Sequence, residues 1–140
     1  MNRRHFLSTS LAAAGPFAAA PARAQSFEVT RTEAEWRAML TDLEYRVMRE
    51  EGTEPAFTSP LDKVYDPGIY HCKGCDQALY SSETKFDSGT GWPSFYEALP
   101  GAIGTKEDRK LLLFVRTECH CSRCGSHLGH IFDDGPDPTG

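Results

Sequence analysis

The chain has 140 residues, 39% of them apolar and 25% charged, with 12 Gly, 9 Pro and a formal net charge of −5. That is room for one ordinary domain, and the Gly and Pro content favours turns and short strands over long helices. The acidic balance excludes a basic nucleic-acid footprint, and no apolar run reaches the roughly 18 residues of a membrane-spanning helix.

Residues 1–24 read as an export signal rather than as part of the fold. Arg3 and Arg4 precede a modestly apolar stretch from Leu7 to Ala20, and Ala22-Arg23-Ala24 supplies a small-x-small cleavage pattern. A disordered Ala-rich tail is the plain alternative, but charge, apolar stretch and cleavage pattern come in the expected order. The arginine pair suggests the twin-arginine route, which carries folded cargo. The expectation is a periplasmic or otherwise exported protein with no stable membrane anchor. Cleavage removes three arginines and no acid, so residues 25–140 hold 12 Lys and Arg against 20 acids, a net −8.

Thr32-Glu33-Ala34-Glu35 has the form of a capping box, and Trp36, Met39 and Leu40 follow at helical spacing. A second box starts at Thr41 with Glu44, giving a helix with Leu43, Val47 and Met48 on its apolar face and Gly52 as its stop. Thr53 to Pro67 reads as loop. Ile69 to Cys72 is a short strand, Leu111 to Thr117 is the strongest strand signal, and His127 to Phe132 is a third. Asp87 to Gly91 and Asp133 to Gly140 read as loops.

Five cysteines fall in this domain. Cys72 and Cys75 form one Cys-x-x-Cys pair, and Cys121 and Cys124 another, followed at once by Gly125. Two tight turns, each aiming two thiolates at one point, make a closed tetrahedral sulfur site of the kind that holds a structural Zn²⁺. Two disulfides would also suit an exported protein, and each pair alone could be a dithiol redox motif. Export in the folded state fits metal loaded before the chain meets an oxidising compartment. Cys119, two residues before the second pair, reads as a half-buried free thiol.

Three further stretches stand out: Lys85 to Phe95 (KFDSGTGWPSF), His127 to Pro136 (HLGHIFDDGP) and, more weakly, Thr53 to Phe57 (TEPAF). With the four cysteines they resemble the B-type methionine sulfoxide reductases over roughly residues 32–140. The resemblance implies a mainly β fold of small, coiled antiparallel sheets with short N-terminal helices. A four-cysteine zinc clamp would lie on the face away from the active site. It also implies reduction of protein-bound methionine (R)-sulfoxide: a thiolate attacks the sulfoxide sulfur, the oxygen is protonated, and methionine leaves. Trp92 would wall the S-methyl group, with Phe95 extending the wall. His127 and His130 would donate to the oxygen, and Asp134 would orient a histidine or hold a water. With four thiolates filling the tetrahedron, neither histidine is needed as a zinc ligand. The implied partners are oxidised-methionine proteins or peptides and a thioredoxin-like or other thiol reductant, with no nucleic acid.

The chain departs from that pattern twice. Family members continue past Asp-Gly-Pro-x-Pro-Thr-Gly to an arginine and the catalytic cysteine. Here Asp134 to Gly140 is the last run, and no thiol matches. The nucleophile is therefore expected beyond residue 140, and residues 1–140 alone are expected to be inactive. Thr90 stands where many members carry the recycling cysteine, which leaves Cys119 as the spare candidate. Two alternatives remain open: a zinc-ribbon module without chemistry, and a pseudoenzyme that binds sulfoxide without turnover.

Overall fold

A computed structural model describes residues 25–109 and 114–140. The expected export signal, residues 1–24, lies outside the described residues. Two short helices, α1 (Glu33–Met39) and α2 (Asp42–Glu50), open the domain. Both begin with the full capping box: the Thr32 and Thr41 hydroxyls accept from the amides of Glu35 and Glu44, whose carboxylates reach back to the cap amides. α2 stops one residue earlier than its glycine suggests, because Glu51 takes the left-handed conformation and donates to the Arg46 carbonyl.

Seven strands follow among the described residues. β1 (Ile69–His71) and β2 (Ala78–Ser81) form one antiparallel hairpin, and β3 (Lys85–Phe86) and β4 (Ser94–Phe95) a second. β5 (Ile103–Asp108), β6 (Arg116–Cys121) and β7 (His127–Ile131) form a three-stranded antiparallel meander. Its register sets Lys106 opposite Glu118, and Glu118 opposite His130. The mainly β class, with small separate sheets and two N-terminal helices, is thus as expected. Among the described residues no helix is long and apolar enough to cross a membrane.

Two sequence expectations need correction. The strand expected over Leu111 to Thr117 is seen from Arg116 onward: residues 111–113 lie outside the described residues, and Phe114 and Val115 are exposed and precede β6. The described strand is the polar segment Arg-Thr-Glu-Cys-His-Cys, in which Arg116 and Glu118 find charged partners across the sheet, so apolar content misplaced it by several residues. Met39 and Leu43 are exposed, whereas Trp36, Leu40 and Met48 are buried.

The core is small and rich in sulfur. Trp36, Leu40 and Met48 from the helices meet Leu79, Ala102, Cys72, Cys121 and Cys124. The helices therefore pack on the same cysteine turns that gather the metal ligands.

Candidate active site and metal centre

The two cysteine turns are closed in the same way. The Cys72 amide donates to the Gln77 carbonyl (2.8 Å) and the Asp76 amide to the Cys72 carbonyl (2.8 Å). In the second turn, the Cys121 amide donates to the Ser126 carbonyl (2.9 Å) and the Gly125 amide to the Cys121 carbonyl (2.9 Å). The fifth residue of each turn is left-handed, Asp76 with φ 62° and Gly125 with φ 72°. This conformation suits Gly and is tolerated by Asp. Gly125 carried that signal in the sequence, and Asp76 was missed.

The four sulfurs lie within 4.8 Å of one another, with Cys72–Cys124 at 3.7 Å and Cys75–Cys121 at 3.5 Å, and no disulfide joins them. Four thiolates about 2.3 Å from a tetrahedral Zn²⁺ stand roughly 3.8 Å apart, so the donor set and its spacing fit a metal ion such as zinc. The amides of Gly74, Gln77 and Ser126 donate to the sulfurs of Cys72, Cys75 and Cys124. The Cys72 thiol and the Ser126 hydroxyl also hydrogen-bond Cys124, holding it down to about 4, while Cys72 keeps the shared proton and is pushed well up. Burial raises Cys75 to about 11. A metal would displace the remaining protons and replace this uneven sharing with four equivalent thiolates.

Cys119 stands apart from the cluster. It is buried, its sulfur lies 3.9 Å from the Tyr80 hydroxyl, and burial raises its pKa. A thiol that is both covered and protonated is poorly placed to attack anything.

The second group of functional candidates sits on β7. The rings of His127 and His130 lie edge to face, 5.4 Å between centroids. Two carboxylates that the sequence reading did not single out hold them. Nε2 of His130 is 2.8 Å from Oδ2 of Asp108 on β5, the same oxygen that accepts from Arg116 at 2.7 Å. Nδ1 of His127 lies 3.0 Å from Oε1 of Glu118 on β6, close enough for an ion pair but out of line for a hydrogen bond. Lys106 closes the row, reaching Glu118 at 3.1 Å and pairing with Glu51. Glu118 and Asp108 are almost fully buried, which forces such pairing. Neither acid fell in a strand that the sequence reading placed, so no sequence signal marked their pairing. Asp134 is exposed beyond β7 and hydrogen-bonds neither histidine among the described residues.

The third group is a pair of loops. The Trp92 indole donates to the Glu54 carbonyl (2.9 Å), and the Phe57 amide donates to the Gly91 carbonyl (2.8 Å). The weak Thr53–Phe57 motif thus acts as the strut of the Trp92 loop. Trp92 remains 37% exposed, its ring available to a ligand. Phe95 is packed edge-on to Tyr70 (4.9 Å) and stacked on Tyr80 (4.4 Å). Thr90 shares its hydroxyl with Ser88 (2.7 Å), which in turn meets Ser94 (2.7 Å). No hydrogen bond or ring contact joins Trp92 to either histidine among the described residues.

The family model of the SelR domain matches residues 40–140. The chain is 48% identical over 115 residues to the peptide methionine sulfoxide reductase B1, chloroplastic, of Oryza sativa subsp. japonica, covering 82% of this chain and 54% of that protein. It is 51% identical over 115 residues to the peptide methionine sulfoxide reductase MsrB of Thiobacillus denitrificans, and 46% identical over 115 residues to that of Leptospira interrogans. The last two alignments cover 82% of this chain and 87% and 88% of those proteins. The chain therefore spans about half of the plant relative and most of the bacterial ones.

Proposed function

The chain belongs to the SelR-domain family, and from that premise we propose that it serves the reduction of protein-bound methionine (R)-sulfoxide to methionine. The observation that carries this reading is the pairing of two histidines on one strand, each beside a buried carboxylate, with a half-exposed tryptophan on a strutted loop of the same domain. A sulfoxide needs an apolar surface for its methyl group and a proton for its oxygen. Trp92 supports the first role through sulfur–aromatic contact. His127 and His130 support the second, since each ring has one nitrogen beside a buried carboxylate, 3.0 Å from Glu118 and 2.8 Å from Asp108, and an imidazole N–H can donate to an oxygen. Asp134 would join them by holding a water at the oxygen.

Electrons come from thiols. In this reading a thiolate attacks the sulfoxide sulfur, methionine leaves, and the cysteine becomes a sulfenic acid. A second thiol, from a thioredoxin-like or other reductant, then converts that acid to a disulfide and water. Four of the five cysteines are gathered in the cluster and Cys119 is buried. The attacking thiolate is therefore taken from outside residues 1–140, which supply the pocket and a structural Zn²⁺ on the four cysteines. That same arrangement favours a second reading for residues 1–140 alone, a sulfoxide-binding unit without turnover. Export by the twin-arginine route, supported by Arg3 and Arg4 ahead of an apolar stretch, completes the proposal.

Titration calorimetry on the zinc-loaded chain, with peptides carrying each epimer of methionine sulfoxide, tests the pocket. The R epimer should bind better, and Trp92→Ala should weaken it by up to about tenfold. Equal binding of both epimers, or of neither, would overturn the assignment. Peptide reduction by residues 1–140 would overturn the view that the nucleophile lies outside them. Unimpeded export after replacement of Arg3 and Arg4 by Lys would remove the twin-arginine route.

A further inference from the structure

The two N-terminal helices take no part in the proposed chemistry, yet they bury their largest side chain against the cysteine turns. Trp36 is 3% exposed. Two guanidinium groups lie on its ring, Arg31 at 4.8 Å and Arg49 at 4.4 Å from the centroid. Each then donates to a different cysteine turn. Arg31 reaches the Gly74 carbonyl at 2.9 Å, and Gly74 is the residue whose amide serves the Cys72 sulfur. Arg49 reaches the Cys124 carbonyl at 3.1 Å and the Ser126 hydroxyl at 3.4 Å. Ser126 is fully buried, with its hydroxyl 3.1 Å from the Cys124 sulfur. The ring and both turns are in direct contact, since a Cβ at Gly74 would stand 3.2 Å from the Trp36 ring and 2.9 Å from the Ser126 hydroxyl.

We propose that Arg31, Trp36 and Arg49 form an outer clamp that sets how firmly the four-cysteine centre retains its metal, with Arg49 acting on Cys124 through Ser126. The proposal rests on reading that centre as a zinc site. Two of the three residues, Arg31 and Trp36, precede the segment that the family model matches. The physical reason is charge and order. A zinc ion with four thiolates carries a net charge of about −2, so donors and positive charge around it favour the loaded state, and groups outside the ligand shell fix the ligands' directions. Arginine suits the task because its planar fork stacks on an aromatic face and still donates from its rim. Arg37 provides an internal comparison. It lies on the Tyr45 ring (3.8 Å) and pairs with Glu33 (2.8 Å) and Glu50 (3.5 Å), but among the described residues it donates to neither cysteine turn.

The test measures zinc transfer from the loaded full chain to a chromogenic chelator. Arg49→Gln and Ser126→Ala should release zinc about 10–100 times faster than the parent, and the double variant no faster than the worse single one, because both act on one path. Arg31→Gln should also speed release, and Arg37→Gln should not. Arg49→Lys, which keeps the charge and a donor, should recover part of the loss. Cobalt substitution supplies the second readout: four-thiolate charge-transfer bands in each variant show that the ligand set is intact and that faster release is not unfolding. If Arg49→Gln does not fold, Ser126→Ala and Arg49→Lys carry the comparison. Folded variants with intact cobalt bands that release zinc at the parental rate would overturn the clamp alone. A parental chain that takes up no zinc would overturn the metal centre, and the clamp with it.

Discussion

Replacing Gly91 by alanine tests how the tryptophan loop is held. Gly91 has φ 86°, a conformation that costs an ordinary residue about 1–2 kcal/mol. An added Cβ would also stand 2.7 Å from both the Cγ and the backbone nitrogen of Phe57. That nitrogen cannot easily retreat, because it donates to the Gly91 carbonyl at 2.8 Å and Phe57 is itself left-handed, φ 63°. Overpacking against fixed backbone costs roughly 1–3 kcal/mol more, for a total of about 2–5 kcal/mol. Gly89 supplies the control. It has φ 72°, but its added Cβ would meet nothing within 4 Å, so Gly89→Ala should show the backbone term alone. Urea unfolding followed by circular dichroism gives both values. The indole N–H resonance of Trp92, one of only two tryptophans, should move in Gly91→Ala as its bond to Glu54 is disturbed. If Gly91→Ala costs no more than Gly89→Ala and the Trp92 resonance stays put, the strut from residues 53–57 is not what positions the ring.

Three other outcomes follow from the same geometry. Cys75→Ser should abolish stoichiometric zinc binding and unfold the sulfur-rich core, and chelation of the parent should do the same; a folded, zinc-bound Cys75→Ser would contradict the four-cysteine assignment. Asp108→Ala should cost about 1–3 kcal/mol by stripping partners from His130 and Arg116, and the His130 ring nitrogens should lose their single-tautomer signature in nitrogen NMR; an unchanged spectrum would show that Asp108 does not fix that ring. The hydrogen bond to Glu51, aided by Glu118, raises the pKa of Lys106 above its ordinary 10.5. The folded state therefore holds that proton more tightly, so the stabilisation is complete below pH 10.5 and is lost as pH rises through the folded value. Lys106→Met should be less stable than the parent at about pH 8, with the gap closing in alkaline unfolding curves; a gap constant to about pH 12 would rule the pairing out as its source.

The sequence alone decided the features whose physics is local. Both capping boxes are complete within four residues, so α1 and α2 form where Thr32 and Thr41 place them. A Cys-x-x-Cys pair fixes two sulfurs on one turn, so the four-cysteine cluster was legible before any fold was known. The tryptophan and histidine motifs were equally legible as family signatures. What the sequence did not decide is which distant groups meet. The apolar run at 111–115 outscored the polar strand beside it, because only the β5–β6–β7 register brings Lys106, Glu118, Asp108 and the two histidines together and offsets the cost of burying those charges. Asp134 was the acid singled out beside the histidines in sequence, yet the acids that pair with them come from two other strands. Phe95 packs against Tyr70 and Tyr80, contacts that its motif did not announce. Each difference has one cause: charge pairing and ring stacking act through space at a few ångströms, and the order of residues along a chain does not record which ones arrive there.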